Sequence, residues 1–286
     1  MPGKRKENVN RKYLKNGSFN CELSLNSMRK KKPNIKRLFF IIALALLLCS
    51  VSVFFNVMPV KASKDDLPFH PGEKLTYKIK WCGIPAGEAV LSVLPIAKIN
   101  GRDAYHFEMT VQSYRWLDPL YKVRDRITSY TDFNMSKSLL YRKNQKEGKT
   151  RRKVIVNFNW ELSQAQYSNF DDLKTPISLK SGTFDPLAVL YVARMKNLDR
   201  ENRIEIPVTD GKKCIISRAE IVRREKIKTE NGVYDTFLLE AEIDEIGGVF
   251  EKSRDAGMKI WLTADHRKLP VKLDRKSTRL NSSHCS

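Results

Sequence analysis

The sequence predicts a mainly β fold: an antiparallel, strongly curled sheet or half-barrel with one packed amphipathic α-helix. Three observations lead there. Apolar and polar residues alternate with period two in one segment after another between residues 74 and 262. Turns containing Gly, Asn or Pro separate those segments at hairpin spacing. Only residues 185–198 repeat their apolar positions at three and four, so the βαβ rhythm of a parallel sheet is missing.

The elements follow in order. Leu75, Tyr77, Ile79 and Trp81 alternate with Thr76, Lys78 and Lys80, giving a strand with one wet face. Cys82-Gly83-Ile84-Pro85-Ala86-Gly87 turns the chain into a second strand through Ala89, Leu91 and Val93. Asn100-Gly101 turns it into a third, with Tyr105, Phe107, Met109 and Val111 on one face. Tyr114 to Tyr121 is aromatic and broken by Pro119, a loop or short helical turn. Residues 123–131 and 139–145 are strands, and Glu147-Gly148-Lys149 leads into Val154, Val156 and Phe158. Residues 169–182 are polar and read as a loop. Asp185 then caps a helix with Pro186 in its first turn and a stripe of Leu187, Leu190, Tyr191, Arg194, Met195 and Leu198. Strands begin again at Ile204, Cys214, Thr236 and Met258, with Asp210-Gly211 and Asn231-Gly232 as turns. The expected total is about ten strands and one helix.

The two ends of the chain read differently. Met28 precedes a cationic cluster, an 18-residue apolar run from Leu38 to Phe55, and Val60-Lys61-Ala62. That is the layout of a signal peptide over 28–62, cleaved after Ala62, or of an N-terminal membrane anchor. Residues 1–27 are basic and unpatterned and read as a non-native or upstream extension. Residues 274–286 break the strand pattern and resemble a translated sequencing adapter. Residues 63–273 are expected to form a single β-rich domain, truncated at its C-terminus. The chain is thus expected to be exported, to the periplasm or cell envelope.

The net charge of +21 is concentrated at the ends. Residues 1–62 hold thirteen Lys and Arg against two Glu, so the basicity is a poor argument for a nucleic-acid partner, and none is expected. Cys82 and Cys214 are the two cysteines of the domain. An oxidising compartment allows a disulfide between them, and two separate thiols are the alternative.

Phe69-His70-Pro71-Gly72-Glu73-Lys74-Leu75-Thr76-Tyr77 with Trp81 and Gly83 to Gly87, Phe184 to Tyr191 with Arg194, and Ile260 to Asp265 with Leu269-Pro270-Val271 occur in a particular order. In that order they resemble the domain-of-unknown-function 3108 family of exported bacterial proteins. The resemblance implies export and a β-rich half-barrel, and it implies no catalytic residues.

No Gly-x-Ser-x-Gly, phosphate loop or His-Glu-x-x-His is present, so an enzyme such as a hydrolase is the least favoured reading and no cofactor is expected. His70, His106 and His266 lack ligand spacing, which argues against a metal site. His106 reads as a solvated strand residue and Glu73 as an exposed strand start. Lys78, Lys80, Arg124, Arg126 and Arg151 to Lys153 read as a solvated outer face, or as attraction to anionic lipid at a membrane surface. Trp81, Trp116, Tyr191, Arg194 and Trp261 are the candidate binding residues, because a curled sheet turns large aromatic side chains toward a cavity. Arg194, beside an apolar helix stripe, either has a structural partner or grips an anionic head group. The reading is a non-catalytic envelope protein that binds an apolar or lipid-like ligand. The alternative is a structural or protein-partner-binding envelope module using Tyr114 to Tyr121.

Overall fold

The period-two pattern becomes fourteen strands among the described residues, which in this computed structural model are 67–242 and 257–275. The extension 1–27 and the signal peptide or anchor 28–62 lie outside them. So does the tail beyond Arg275.

The strands form two antiparallel meanders. The larger contains β1 (Lys74–Trp81), β2 (Ile84–Ile99), β3 (Arg102–Ser113), β4 (Arg124–Asp132), β5 (Ser138–Glu147), β6 (Thr150–Asn159), β7 (Gln164–Asn169), β8 (Asp172–Leu173) and β9 (Ile177–Ser178). Consecutive strands pair from β1 to β8, and β9 also pairs with β7. The smaller runs β10 (Arg203–Thr209), β11 (Cys214–Thr229), β12 (Gly232–Glu242), β13 (Gly257–Thr263) and β14 (Pro270–Arg275). Among the described residues helix is confined to two short pieces, α1 (Asp118–Tyr121) and α2 (Ala188–Arg194). Among the described residues no helix is long and apolar enough to cross a membrane.

The sequence undercounts strands where they are shortest. The polar stretch 169–182 hides β8 and β9, which are two residues each and carry no alternation. β14 reaches Arg275, two residues into the stretch that resembles an adapter, and pairs Lys259 with Asp274.

Both sheets present one apolar face to a common core. Val93, Phe107, Ile127, Tyr141 and Val156 come from the larger sheet, and Ile206, Val208, Leu239 and Leu262 from the smaller. Leu187, Leu190 and Tyr191 of the helical segment join them, the Tyr191 ring stacking on Phe107 at 3.8 Å. The sheets also touch at their margins. Tyr77 Oη on β1 donates to the Pro270 carbonyl on β14 at 2.7 Å. The turn at Gly211 sits so close to β6 and β7 that a Cβ there would come within 2.7 Å of Val156.

The helical segment is shorter than its stripe suggests. Asp185 is fully buried, and its carboxylate accepts the backbone N–H groups of Leu187 (2.9 Å) and Ala188 (3.0 Å) and the hydroxyls of Ser129 and Ser138. It therefore caps the segment and ties it to β4 and β5. Burial pushes its carboxyl group above the usual carboxylate range, against the pull of these donors. After Arg194 the chain tightens into i→i+3 bonds, Met195 N–H to Val192 and Lys196 N–H to Ala193. Met195 leaves the stripe and is exposed, whereas Leu198 stays buried.

Candidate functional site

The five candidate residues occupy four separate places. Tyr191 and Arg194 lie together on α2, fully buried. Trp261 on β13 is buried on the opposite face of the smaller sheet, outside the common core. Its indole N–H donates to Glu225 at 2.8 Å, and the Lys272 ammonium lies 4.4 Å from its ring centre. Trp81 and Trp116 are both 59% exposed. The register slips by one residue at Ile79 and Lys80, where Ala86 of β2 is left without a partner on β1, and Trp81 is the last residue of β1, beside the turn. No single cavity is lined by all five. The Cys82–Cys214 bridge is not made, because Cys214 is a free thiol with its Sγ 3.5 Å from the Thr183 hydroxyl.

Arg194 is held by the protein itself. Its two terminal nitrogens bond both oxygens of Glu73, at 2.6 and 2.8 Å. Its other contacts are the carbonyls of Pro68 (2.6 Å) and Arg267 (3.1 Å) and the rings of Phe69 and Tyr191, 5.5 and 5.7 Å away. The forked guanidinium is matched to one carboxylate and two carbonyls, which is how a buried arginine is tolerated. Glu73 is accordingly not an exposed strand start. It is the counter-ion of the core. Burial raises the Tyr191 hydroxyl above its ordinary range, and Glu73 adds to the shift.

A different cluster forms at one end of the larger sheet. In a meander, alternate turns share an end. The β1–β2 turn, the β3–β4 loop, the β5–β6 turn and the β7–β8 turn therefore lie on one side. Trp81 pairs with Ile84 across the first turn. The Tyr114 N–H bonds the Ala86 carbonyl at 3.0 Å and holds the aromatic loop against that turn. The Gly148 N–H bonds the Lys122 carbonyl at 2.8 Å. The Tyr121 ring lies on Gly148 so closely that a Cβ would come within 2.8 Å of it. Trp81, Ile84, Trp116, Leu120, Phe170 and Leu173 are all more than half exposed along this end. Within the same loop Leu117 is buried and Asp118 accepts from Ser113 and Arg124, so the loop is anchored while Trp116 and Leu120 project.

Cations cluster at the β5–β6 turn of this end, whereas Asp171 and Asp172 adjoin Phe170 and Leu173. Residues 146–153 hold Lys146, Lys149, Arg151, Arg152 and Lys153 against Glu147. An open depression of about 230 Å³ lies on the outer face below the aromatic loop, lined in part by Gln112, Arg124, Arg126, Asn144 and Lys146. Asp125, between Arg124 and Arg126 on β4, is in phase with Ile127 on the buried face of the sheet. Burial raises its carboxyl to about 6, and a hydrogen bond with Glu147 adds to this against the Lys146 N–H that it accepts. His106 is half-buried, stacked on Tyr130 at 4.3 Å, and burial lowers its pKa. Among the described residues no three His, Cys, Asp or Glu side chains gather as metal ligands.

Residues 76–279 match the family described as protein of unknown function (DUF3108). The chain belongs to that family. The DUF3108 match takes in both turns that carry Trp81 and Trp116 and the whole of α2. The chain is also similar to a crystal structure titled as a beta-barrel-like protein of domain of unknown function DUF1849 from Brucella abortus. Identity there is 9%, over 67% of this chain and 89% of that one, with a TM-score of 0.40. No curated protein matches.

Sequence reasoning found two of the exposed aromatic residues of this DUF3108 chain and missed Ile84, Leu120 and the cations of the β5–β6 turn as one surface. Turn parity was the available signal, since every second turn of a meander falls on the same side.

Proposed function

We propose that this protein is an exported envelope protein with a non-catalytic role, binding an apolar, lipid-like ligand at the Trp81–Trp116 end of the larger sheet. The single observation that carries this reading is the gathering of six exposed large apolar side chains along one sheet end, beside a cation-lined depression. An amphiphile with an apolar body and an anionic head matches both halves of that surface. In this reading the larger sheet curls round α2 as a half-barrel. That supports the end turns rigidly, because α2 is tied to β4 and β5 through Asp185. The apolar run 38–55 and its cationic flank support export to the periplasm or envelope.

The loop Tyr114–Tyr121 also supports a second reading, a partner-binding envelope module, because Trp116 and Leu120 project from an anchored backbone. Native mass spectrometry of the full chain with palmitate and with lysophosphatidylglycerol separates the two. The lipid-binding reading expects a retained adduct with the wild type and none with Trp81→Ser/Trp116→Ser. Absence of an adduct with either lipid overturns it.

A further inference from the structure

Resting on that reading, we infer that the same end is a docking surface for an anionic phospholipid bilayer. Indole rings favour the zone between head groups and acyl chains, where one edge is wet and the ring is apolar. Trp81 and Trp116 stand on two neighbouring turns joined by the Tyr114–Ala86 hydrogen bond, so they meet a plane together. Ile84 and Leu120 project with them, 57% and 77% exposed. An enclosed ligand site would bury such side chains. A surface that exposes them at the ends of rigid hairpins suits a broad, flat apolar partner. The opposite end of the sheet exposes only Leu162 strongly and Phe133 less among its large apolar groups.

Charge selects the anionic bilayer. The end of β5, the β5–β6 turn and the start of β6 carry five cations against one carboxylate. Arg151 donates to the Gly148 and Thr150 carbonyls, so among the described residues no carboxylate compensates it. Lys122 and Lys149 flank the same turn and are exposed. Each cation held near an anionic membrane surface contributes about 1 kcal/mol, and the attraction fades within a Debye length. Phosphates at head-group depth therefore meet these cations while the indoles sit slightly deeper.

The test uses the full chain and vesicles of phosphatidylcholine alone or mixed with phosphatidylglycerol, each with brominated acyl chains that quench nearby tryptophan. The apolar run 38–55 can bring the chain to either vesicle, so the readout must be local. Trp81→Phe/Trp116→Phe supplies the reference, leaving Trp160 and Trp261. Docking predicts quenching of the wild type well above this reference, larger with phosphatidylglycerol and reduced by added salt. Lys122→Ser/Lys149→Ser/Arg151→Ser shifts the phosphatidylglycerol titration by about a hundredfold, from three cations at the membrane surface. Quenching no greater than the reference overturns docking, and equal quenching in both vesicles overturns selection for anionic lipid. If palmitate or lysophosphatidylglycerol still forms its adduct in either case, ligand binding stands and only the bilayer surface is lost.

Discussion

Glu73→Gln removes the negative partner of Arg194 and leaves the rest of its cage in place. The Arg194 side chain is 1% exposed and that of Glu73 11%. Breaking a buried pair on one side costs about 3–5 kcal/mol, because the surviving charge stays in a poorly solvated site. The two carbonyls from Pro68 and Arg267 still accept from the guanidinium, so the lower end, about 3 kcal/mol, is expected. Arg194→Met costs a similar amount, because it strands Glu73 and removes the donors to both carbonyls. The double variant Glu73→Gln/Arg194→Met removes both charges and should cost clearly less than the two single changes added together, with a coupling of about 2 kcal/mol. Urea unfolding followed by circular dichroism and tryptophan fluorescence reads these values. A domain of this size loses about 2–4 °C of Tm per kcal/mol, so Glu73→Gln should melt about 6–12 °C lower. A loss below about 1 kcal/mol for Glu73→Gln, or strict additivity in the double variant, would refute the clamp.

Three further predictions concern the cap, the buried carboxyl and the aromatic loop. Asp185→Ala leaves two backbone N–H groups and two buried hydroxyls without their acceptor, so chemical denaturation should show a loss of about 3 kcal/mol or more. Asp125 has a raised carboxyl in the folded state, about 6 against an ordinary 3.8. Its contribution to stability is therefore fully present below the ordinary value and is lost as pH rises toward 6, by on the order of 1 kcal/mol. Asp125→Asn should flatten a stability profile between pH 4 and 6, and an unchanged slope there would assign the pH dependence to other groups. Gly148→Ala adds a Cβ within 2.8 Å of the Tyr121 ring, at a φ of +51°. It should cost about 1–2 kcal/mol and make residues 114–122 more susceptible to limited proteolysis, because the ring that packs the loop is displaced.

Much of the fold was legible because it rests on local periodicity. The inward faces of β2 and β3, Leu91, Val93, Tyr105, Phe107 and Met109, are buried as the alternation requires. The stripe on the helical segment correctly placed Leu187, Leu190, Tyr191 and Arg194 in the core. Pattern cannot supply long-range partners. Glu73 and Arg194 are 121 residues apart, and nothing local to either names the other. Trp81 misled for a physical reason. It continues the alternation of β1, but it is the last residue of that strand, paired with Ile84 across the turn and past the edge of the core. His106 falls on the polar side of β3, yet Tyr130 from β4 covers it. The two-residue strands β8 and β9 are too short to show any period at all. The exposed end was present in the sequence as separate turns, and only the strand order joins Trp81, Trp116, Gly148 and Phe170 along one edge.

Hydrogen exchange of the full chain, with and without added lysophosphatidylglycerol, examines whether this end is where the ligand sits. Protection confined to the backbone of 81–86, 114–123 and 146–152 is the expected result. Protection centred on β12 and β13 around Trp261, with the Trp81 and Trp116 turns unchanged, would contradict it.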